Sequence, residues 1–227
     1  MPDIMQYPDR AVLAEDLAEL VAEQLNDAVS ARGKASLAVP GGNTPGPFLK
    51  ALSAQDVDWA KVSVMLTDER FVNETSPRSN TRLLRETLLQ GKAGAATLVP
   101  LVAPAKQPEE VLDSLIAGLN PELPLDVVVL GMGADMHTAS LFPGADRLPE
   151  ALADTAPSLL PMRAEGAEEP RITMTAPVLR AAGAVHLLIA GEDKIAALEQ
   201  ALLEGPEAEA PVRVILALPR TEIHYAE

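Results

Sequence analysis

The sequence predicts an α/β protein with a doubly wound, mostly parallel sheet and helices on both of its faces. Short, continuous apolar runs, such as 35–39 and 127–130, alternate with helical patterns of about 10–15 residues. Apolar runs of this kind are typical of strands buried on both faces, and their alternation with helices is typical of a Rossmann-like fold. No internal repeat or low-complexity tract is present, so we expect a single domain over residues 1–227.

The individual elements follow from the spacing of apolar residues and from turn residues. Apolar residues recur at helical intervals between Pro8 and Arg32, and Gly33 then predicts the end of a first helix. The remaining pattern predicts strands at 35–39, 61–66, 97–101, 125–130, 184–190 and 212–217, a short strand or turn at 171–175, and helices at 45–52, 79–89, 108–119, 177–180 and 192–203. We expect residues 148–169 to form an excursion or a lid-like loop, and residues 221–227 stay unassigned.

Composition limits the classes of function. The chain has no cysteine, no apolar stretch of roughly 18 residues, and an acidic N-terminus unlike a signal peptide. These features predict a cytoplasmic protein without a membrane segment. The net charge of −15 disfavours nucleic acid and anionic lipid as partners. An anionic substrate would therefore need a local group of cations.

The turn at 40–45, Pro-Gly-Gly-Asn-Thr-Pro, connects a predicted strand to a predicted helix. Thr44 is a candidate N-cap, and Pro45 suits the first helical position. Free N–H groups at such a helix start bind anions, and Gly41 and Gly42 would let a phosphate approach the backbone closely. An ordinary strand–helix turn explains the same residues equally well. No Gly-Lys-Ser/Thr follows, so this is not a Walker loop.

Three charged residues follow the predicted strand at 61–66. Arg70 is a candidate substrate ligand, and Asp68 is a candidate partner of a substrate hydroxyl or of a histidine. We expect this segment at the sheet edge because burial of unpaired charges is costly. A solvated loop is the alternative. Ser79 is a candidate N-cap for the next helix, and Asn80 adds a polar group there.

The segment Leu125–Gly144 carries the strongest catalytic signal. An apolar strand stops at Gly131, and Asp135 and His137 follow within a few residues. A strand that ends in a glycine turn and presents a carboxylate and an imidazole suits general acid–base chemistry at the carboxyl edge of an open sheet. Met136 stands at the last position of a dinucleotide fingerprint, so that motif fails. The alternative is a turn histidine that caps the next helix.

Two further cations and two further histidines complete the candidates. Arg171 lies in a short predicted strand, and Lys194 opens a helix, where its charge opposes the helix dipole. An anionic ligand would explain that position. His186 lies within a predicted strand and is expected to be structural, and His224 lies in the tail. Since the three histidines are scattered and cysteine is absent, the sequence predicts no metal site.

Together these motifs resemble those of the 6-phosphogluconolactonases. GGNTP, TDERFV, the SN pair at 79–80, GMGADMHTASLFPG, RITMTAPVL and GEDK occur in that family's order and spacing, from the first helix to about Leu218. HTASLFPG is the most specific of them. The resemblance implies the doubly wound sheet and the sugar-phosphate pocket that this family shares with glucosamine-6-phosphate deaminase. It also implies that no metal or organic cofactor is required.

The resemblance further implies an activity and a set of site residues. The activity is hydrolysis of 6-phospho-D-glucono-1,5-lactone to 6-phosphogluconate, in the oxidative pentose phosphate pathway. His137 would be the general base, assisted by Asp135 or Asp68. An oxyanion would be met by N–H groups of the glycine turn, with help from Arg70. The residues implied for binding of the substrate and its phosphate are Gly41, Gly42, Asn43, Thr44, Arg70, Arg171 and Lys194.

Two alternatives stay open: a deaminase-like aldose/ketose isomerase and a non-catalytic sugar-phosphate sensor. The deaminase uses a glutamate five residues beyond the histidine, where this chain has Phe142, and an aromatic residue where it has Arg70. A sensor would lack turnover and would need a DNA-binding region. We expect a small-molecule partner only, with no nucleic acid or membrane, and a monomer or small homo-oligomer.

The chain departs from the family at two positions. Met136 replaces a glycine between the aspartate and the histidine. Glycine would permit a positive φ there, which methionine disfavours, so either the turn does not need that conformation or it is strained. Asn43 replaces the more usual serine or threonine of the glycine loop, and its amide still offers a donor.

Overall fold

The computed structural model describes residues 2–227 and contains two sheets. The strands of this part of the chain are β1 (Asp3–Gln6), β2 (Ala35–Val39), β3 (Val62–Leu66), β4 (Asp68–Arg70), β5 (Thr97–Leu98), β6 (Val127–Leu130), β7 (Leu159–Met162), β8 (Arg171–Met174), β9 (Ala184–Ala190) and β10 (Thr221–Ala226). The α-helices are α1 (Arg10–Arg32), α2 (Gly46–Ser53), α3 (Asn80–Thr87), α4 (Leu112–Leu119), α5 (Leu148–Leu152), α6 (Ala176–Ala181), α7 (Glu192–Ala201) and α8 (Arg213–Leu216). Short 3₁₀ turns complete the connections.

The larger sheet is parallel throughout, in the order β1-β10-β9-β6-β2-β3-β5. Every residue of β2 and β6 is buried, so both faces of the sheet centre are covered, as expected for a doubly wound fold. The predicted fold class is confirmed. No helix within residues 2–227 combines the length and the apolar character needed to cross a bilayer.

Helix α1 forms because its sequence supplies both a start and a stop. The Asp9 carboxylate accepts from the N–H groups of Ala11 and Val12, and Gly33 ends the helix in the left-handed region at φ 78°. Leucine, valine and alanine at helical intervals bury one face, which packs on β2, β6 and β10.

The strand order reverses direction between β2 and β6. From β2 the chain continues outward to β3 and β5, whereas from β6 it runs the other way to β9 and β10. The loops that follow β2 and β6 therefore diverge and leave a crevice at the carboxyl edge. Ligands of open α/β sheets bind at this kind of switch point.

The last strand lies elsewhere than predicted. Residues 212–217 contain the short helix α8, and the final strand is β10, in the tail that the sequence left unassigned. A short apolar run such as 212–217 has no period that separates strand from helix. Strand β1, which the sequence pattern missed, pairs with β10.

Of the two forms predicted for residues 148–169, an excursion or a lid-like loop, the loop is wrong. This segment contains α5 and the fully buried strand β7. β7 pairs antiparallel with β8, and β8 pairs antiparallel with β4, to form a separate three-stranded sheet. The charged segment at 68–70 is therefore a strand of its own. Arg70 and Arg171 thus belong to the smaller sheet, whereas Lys194 follows β9 of the larger one.

Candidate active site

A cleft of about 270 Å³ lies at the switch point between β2 and β6, where the larger sheet meets the smaller one. It collects residues far apart in sequence, because the loops after β2, β6 and β9 meet the edge of β4 and β8 there. The predicted residues that line it are Gly41, Gly42, Asn43, Thr44, Asp68, Arg70, His137, Arg171 and Lys194.

Asp135 and His137 form a hydrogen-bonded pair beside this cleft. Oδ1 of Asp135 lies 2.5 Å from Nδ1 of His137 and also accepts from the His137 backbone N–H. Gly133 is required below the pair, because a Cβ atom there would overlap both side chains. The turn closes with hydrogen bonds from Gly133 N to His137 O and from Met136 N to Gly133 O.

The hydrogen bond of this pair has a defined direction. The hydrogen bond from His137 holds the pKa of Asp135 below its ordinary value, against the opposing effect of desolvation. An ionised carboxylate only accepts, so Nδ1 carries a proton and Nε2 of the neutral ring has the free lone pair. The arrangement suits a general base that acts through Nε2.

Asp68 is not the partner of His137, so the alternative that the sequence left open is decided for Asp135. Asp68 is buried and accepts from the hydroxyls of Ser140 and Thr67. Its Oδ2 also lies 3.7 Å from Nη1 of Arg171. Asp68 therefore links the segment after His137 to the smaller sheet and compensates a buried cation.

Arg70 and Arg171 face each other across the β4–β8 pair. The Nε atom of each is buried and has no hydrogen-bond partner among residues 2–227. Burial lowers the pKa of Arg171, the charge of Asp68 opposes that shift, and the charge of Arg70 adds to it. Two adjacent guanidinium groups with unused donors are well suited to an anionic ligand.

Phe142 joins the histidine to one of these arginines, and the sequence reading missed that role. The centroid of the Phe142 ring lies 4.4 Å from the centroid of the His137 ring. The guanidinium carbon of Arg171 lies 5.2 Å from the same Phe142 centroid. In the sequence, position 142 is notable only because it lacks the glutamate that the deaminase uses. The pattern of a glycine turn followed by a histidine gives no signal that an aromatic ring would pack here.

A buried carboxylate, Glu69, organises the start of α3. It is fully buried and accepts from the N–H groups of Asn80 and Thr81 and from the hydroxyls of Ser79 and Thr81. The N–H of Arg70 bonds to it as well. Glu69 belongs to the charged segment predicted at the sheet edge, where burial of an unpaired charge would be costly. It is buried because these donors at a helix N-terminus stabilise its charge.

Asn80 in turn fixes the glycine loop. Its side chain donates to the backbone oxygen of Asp68 and fills the space where a Cβ atom of Gly41 would lie. The predicted N-cap at Ser79 is confirmed, since its hydroxyl accepts from Arg82 N. Sequence reasoning counted Asn80 only as a helix-start residue.

The glycine loop differs in detail from its prediction. Helix α2 begins at Gly46, and no side chain caps it, so Thr44 is not an N-cap. Gly42 takes a φ of 92°, which a side chain would strain. The hydrogen bonds of residues 2–227 include none from the N–H groups of Gly42, Asn43 or Thr44. These unused donors line the cleft and could bind an anion, so the sequence prediction of a phosphate site here stays a prediction.

Lys194 lines the cleft from the first turn of α7. Its nearest carboxylate is that of Asp193, 3.5 Å away, and 26% of its side chain is exposed. Its ammonium group is therefore partly open to solvent beside the cleft.

Met136 adopts a positive φ of 63°, a conformation that a glycine would adopt without strain. The turn therefore needs the left-handed conformation, and Met136 sustains it under strain of about 1–2 kcal/mol. Its backbone oxygen accepts from Val212, and its side chain packs against the core.

The other two histidines lie together, away from the cleft. His224 is part of β10, not of an unstructured tail, and its Nε2 lies 3.0 Å from Nδ1 of His186 in β9. Burial lowers the pKa of His186 to about 4 and that of His224 to about 3, so both rings are neutral at pH 7.

The chain is similar to known proteins over nearly its whole length. The profile of the family described as "Glucosamine-6-phosphate isomerases/6-phosphogluconolactonase" matches residues 8–224. A 6-phosphogluconolactonase of Rhizobium meliloti is 48% identical over 225 residues, which cover 97% of each chain. One of Pseudomonas aeruginosa is 42% identical and covers 93% of this chain and 90% of its own. The crystal structure of a 6-phosphogluconolactonase from Shewanella baltica superposes with a TM-score of 0.96 at 35% identity, covering 100% of this chain and 98% of that one.

Proposed function

The chain belongs to the glucosamine-6-phosphate isomerase/6-phosphogluconolactonase family, and from this premise we propose that it hydrolyses 6-phospho-D-glucono-1,5-lactone to 6-phospho-D-gluconate. One observation carries the proposal beyond family membership: a carboxylate-oriented imidazole lies beside three cations in a single cleft. A phosphorylated lactone needs both kinds of group, because the imidazole can activate water for attack on the carbonyl and the cations can bind the phosphate. The reaction is the lactone-hydrolysing step of the oxidative pentose phosphate pathway.

The phosphate binds where free donors and positive charge coincide. In this proposal the N–H groups of Gly42, Asn43 and Thr44 meet the phosphate oxygens, and Arg171 and Lys194 supply charge. Charge-assisted hydrogen bonds are worth roughly 1.5–3 kcal/mol each. Binding of this remote group positions the lactone carbonyl for attack.

His137 then activates a water molecule. Its Nε2 takes a proton from the water as the oxygen adds to the carbonyl carbon, and Asp135 stabilises the imidazolium that forms. A positioned base of this kind typically contributes about 10²–10⁴-fold to the rate. No metal or organic cofactor is needed for these steps.

The developing oxyanion needs donors, and Arg70 is the better candidate. Gly133 N and His137 N, in the glycine turn, already hydrogen-bond within the turn, whereas the Nε atom of Arg70 is unused. When the tetrahedral intermediate collapses, the bond from C1 to the ring oxygen breaks. His137 returns its proton to that oxygen, which becomes the 5-hydroxyl of the product.

Phe142 argues against the isomerase alternative. Ring opening and isomerisation in the deaminase use a glutamate at this position, and here the apolar ring packs between His137 and Arg171. Among residues 2–227, the buried Asp68 is the only carboxylate that lines the cleft, and it does not replace this glutamate. The lactonase reaction requires only the single base.

The proposal also covers the partners, the location and the oligomeric state of the protein. The substrate is a small sugar-phosphate lactone, and the net charge of −15 supports the absence of a nucleic-acid partner. The metabolic activity of the relatives supports a cytoplasmic location. We expect a monomer or a small homo-oligomer.

A stopped-flow assay with a pH indicator tests the activity directly. Lactone generated freshly in the instrument releases acid on hydrolysis, and the spontaneous rate is subtracted. Enzyme-dependent acid release without ammonia release from glucosamine 6-phosphate supports the proposal. Ammonia release without lactone turnover would establish the isomerase instead, and binding without either would establish a sensor.

A further inference from the structure

Three side chains outside the cleft converge on one face of two neighbouring strands. Glu222 and His224 alternate along β10, so they point to the same face, and His186 in β9 is the register partner of Glu222. The sequence hides this group because 38 positions separate the two histidines. None of the three lines the cleft.

The spacing of their ligand atoms fits a metal ion. Nδ1 of His186 and Nε2 of His224 are 3.0 Å apart, and Oε2 of Glu222 lies 3.5 Å and 3.9 Å from them respectively. Atoms at these separations lie on a circle of about 2.0 Å radius, and Zn²⁺ is bound by imidazole nitrogen and carboxylate oxygen at about 2.0–2.2 Å.

The outer nitrogens of both rings are already held by other residues. Nε2 of His186 lies 2.8 Å from Oε1 of Gln24 in α1, and Nδ1 of His224 lies 2.9 Å from the hydroxyl of Tyr7. Such contacts orient the rings of metal-binding histidines and set their tautomers. They leave the two inner nitrogens directed toward each other and toward Glu222.

The charge around the group also favours a cation. Glu222 pairs with no lysine or arginine among residues 2–227, and Asp16 adds a second negative charge close to Tyr7. The side chain of Glu222 is 42% exposed, whereas both rings are buried. The carboxylate therefore marks an entry path from solvent and leaves room for a water ligand.

We propose that His186, His224 and Glu222 bind one Zn²⁺ ion, with water as the fourth ligand. The donor set of two imidazoles and a carboxylate suits Zn²⁺ and Co²⁺ more than Mg²⁺ or Ca²⁺. The ion links β9 to β10 and so stabilises the pairing of these two strands of the larger sheet. It takes no part in lactone hydrolysis, so the site is independent of the function proposed above.

Metal titration of the chelator-treated, full-length protein tests the site. Isothermal titration with Zn²⁺ gives the stoichiometry, and the visible absorption of Co²⁺ reports tetrahedral coordination. The ligand variant is Glu222→Gln, whose side chain is partly exposed and similar in shape. The matched control is Glu209→Gln, an exposed glutamate outside the group. His137→Ala serves as a second control, because it removes the third histidine of the chain.

One ion per chain, a tetrahedral Co²⁺ spectrum, and loss of both in Glu222→Gln alone support the proposal. The midpoint of thermal unfolding should rise by roughly 5–10 °C at a hundredfold excess of Zn²⁺ over its dissociation constant. Unchanged binding in Glu222→Gln, loss of binding in His137→Ala, or no saturable binding would overturn it. The two rings would then form only a hydrogen-bonded pair. Lactone turnover of Glu222→Gln, expected at the wild-type rate, separates this outcome from failure of the proposed activity.

Discussion

The carboxylate of Asp135 lies 2.5 Å from Nδ1 of His137, two residues further along the same turn. The pair is local in sequence, so its geometry depends on a short stretch of backbone and on the absence of a side chain at Gly133. The proposed base and its orienting carboxylate are thus positioned together after the end of β6.

Asp135→Asn should lower kcat on the order of 10²–10⁴-fold, because an amide no longer fixes the tautomer or stabilises the imidazolium. KM should change little, since Asp135 does not line the cleft. His137→Ala sets the scale and should lose a similar factor. Steady-state kinetics on fresh lactone measures both, and wild-type turnover in either variant would contradict the assigned base.

Lys194→Met should raise KM for the phosphorylated lactone by about 10- to 100-fold, which is the loss of one charge-assisted contact. A lactone without phosphate should react at the wild-type rate. Lys61→Met, at an exposed lysine paired with Asp58, is the matched control. If both substrates were affected equally, Lys194 would not bind the phosphate.

Phe142→Ala should lower kcat about tenfold or more, because the imidazole loses the ring that holds its orientation. The variant also removes the aromatic contact with Arg171, so KM should rise modestly. Phe142→Tyr keeps the ring and should retain most of the activity. Comparison of kcat for the two variants checks the positioning role, and equal losses in both would contradict it.

Glu69→Gln should reduce the free energy of unfolding by about 2–4 kcal/mol, because an amide NH₂ would face backbone donors at the start of α3. Denaturant unfolding followed by circular dichroism provides the measurement. Glu165→Gln, at an exposed glutamate, should change stability by less than about 0.5 kcal/mol. A Glu69 variant as stable as this control would show that the buried carboxylate is dispensable.

Met136→Gly should leave the free energy of unfolding within about 1 kcal/mol of wild type, because relief of the left-handed strain offsets lost packing and a more flexible unfolded chain. Met136→Val should cost roughly 1–3 kcal/mol, since a β-branched residue tolerates this φ least. The stability difference between the two variants is the readout. A valine variant as stable as the glycine variant would contradict the strained turn.

Features that depend on local pattern were predictable from the sequence. The apolar runs of β2, β6 and β9 mark strands, and each is followed by residues that line the cleft. The candidate ligands at the glycine loop and at Lys194 could be named for this reason. The choice between Asp135 and Asp68 could not be made, because it depends on where the smaller sheet holds Asp68.

Features that depend on distant pairing were not predictable. Strand β4 is only three residues long and becomes a strand through β8, about a hundred positions away. The burial of Glu69 likewise requires the start of α3, which supplies its donors. Strand β10 carries Glu222 and His224, so its composition does not resemble the apolar strands at the centre of the sheet.

The pairing of β1 with β10 has a consequence for biosynthesis. Within residues 2–227, the only sheet neighbour of β1 is β10, and more than two hundred residues are synthesised between these two strands. At about 5–20 residues per second, translation from β1 to β10 takes roughly 10–45 s, during which β1 lacks this partner. The nascent chain can assemble its central strands early, but this edge of the sheet closes only once β10 has been made.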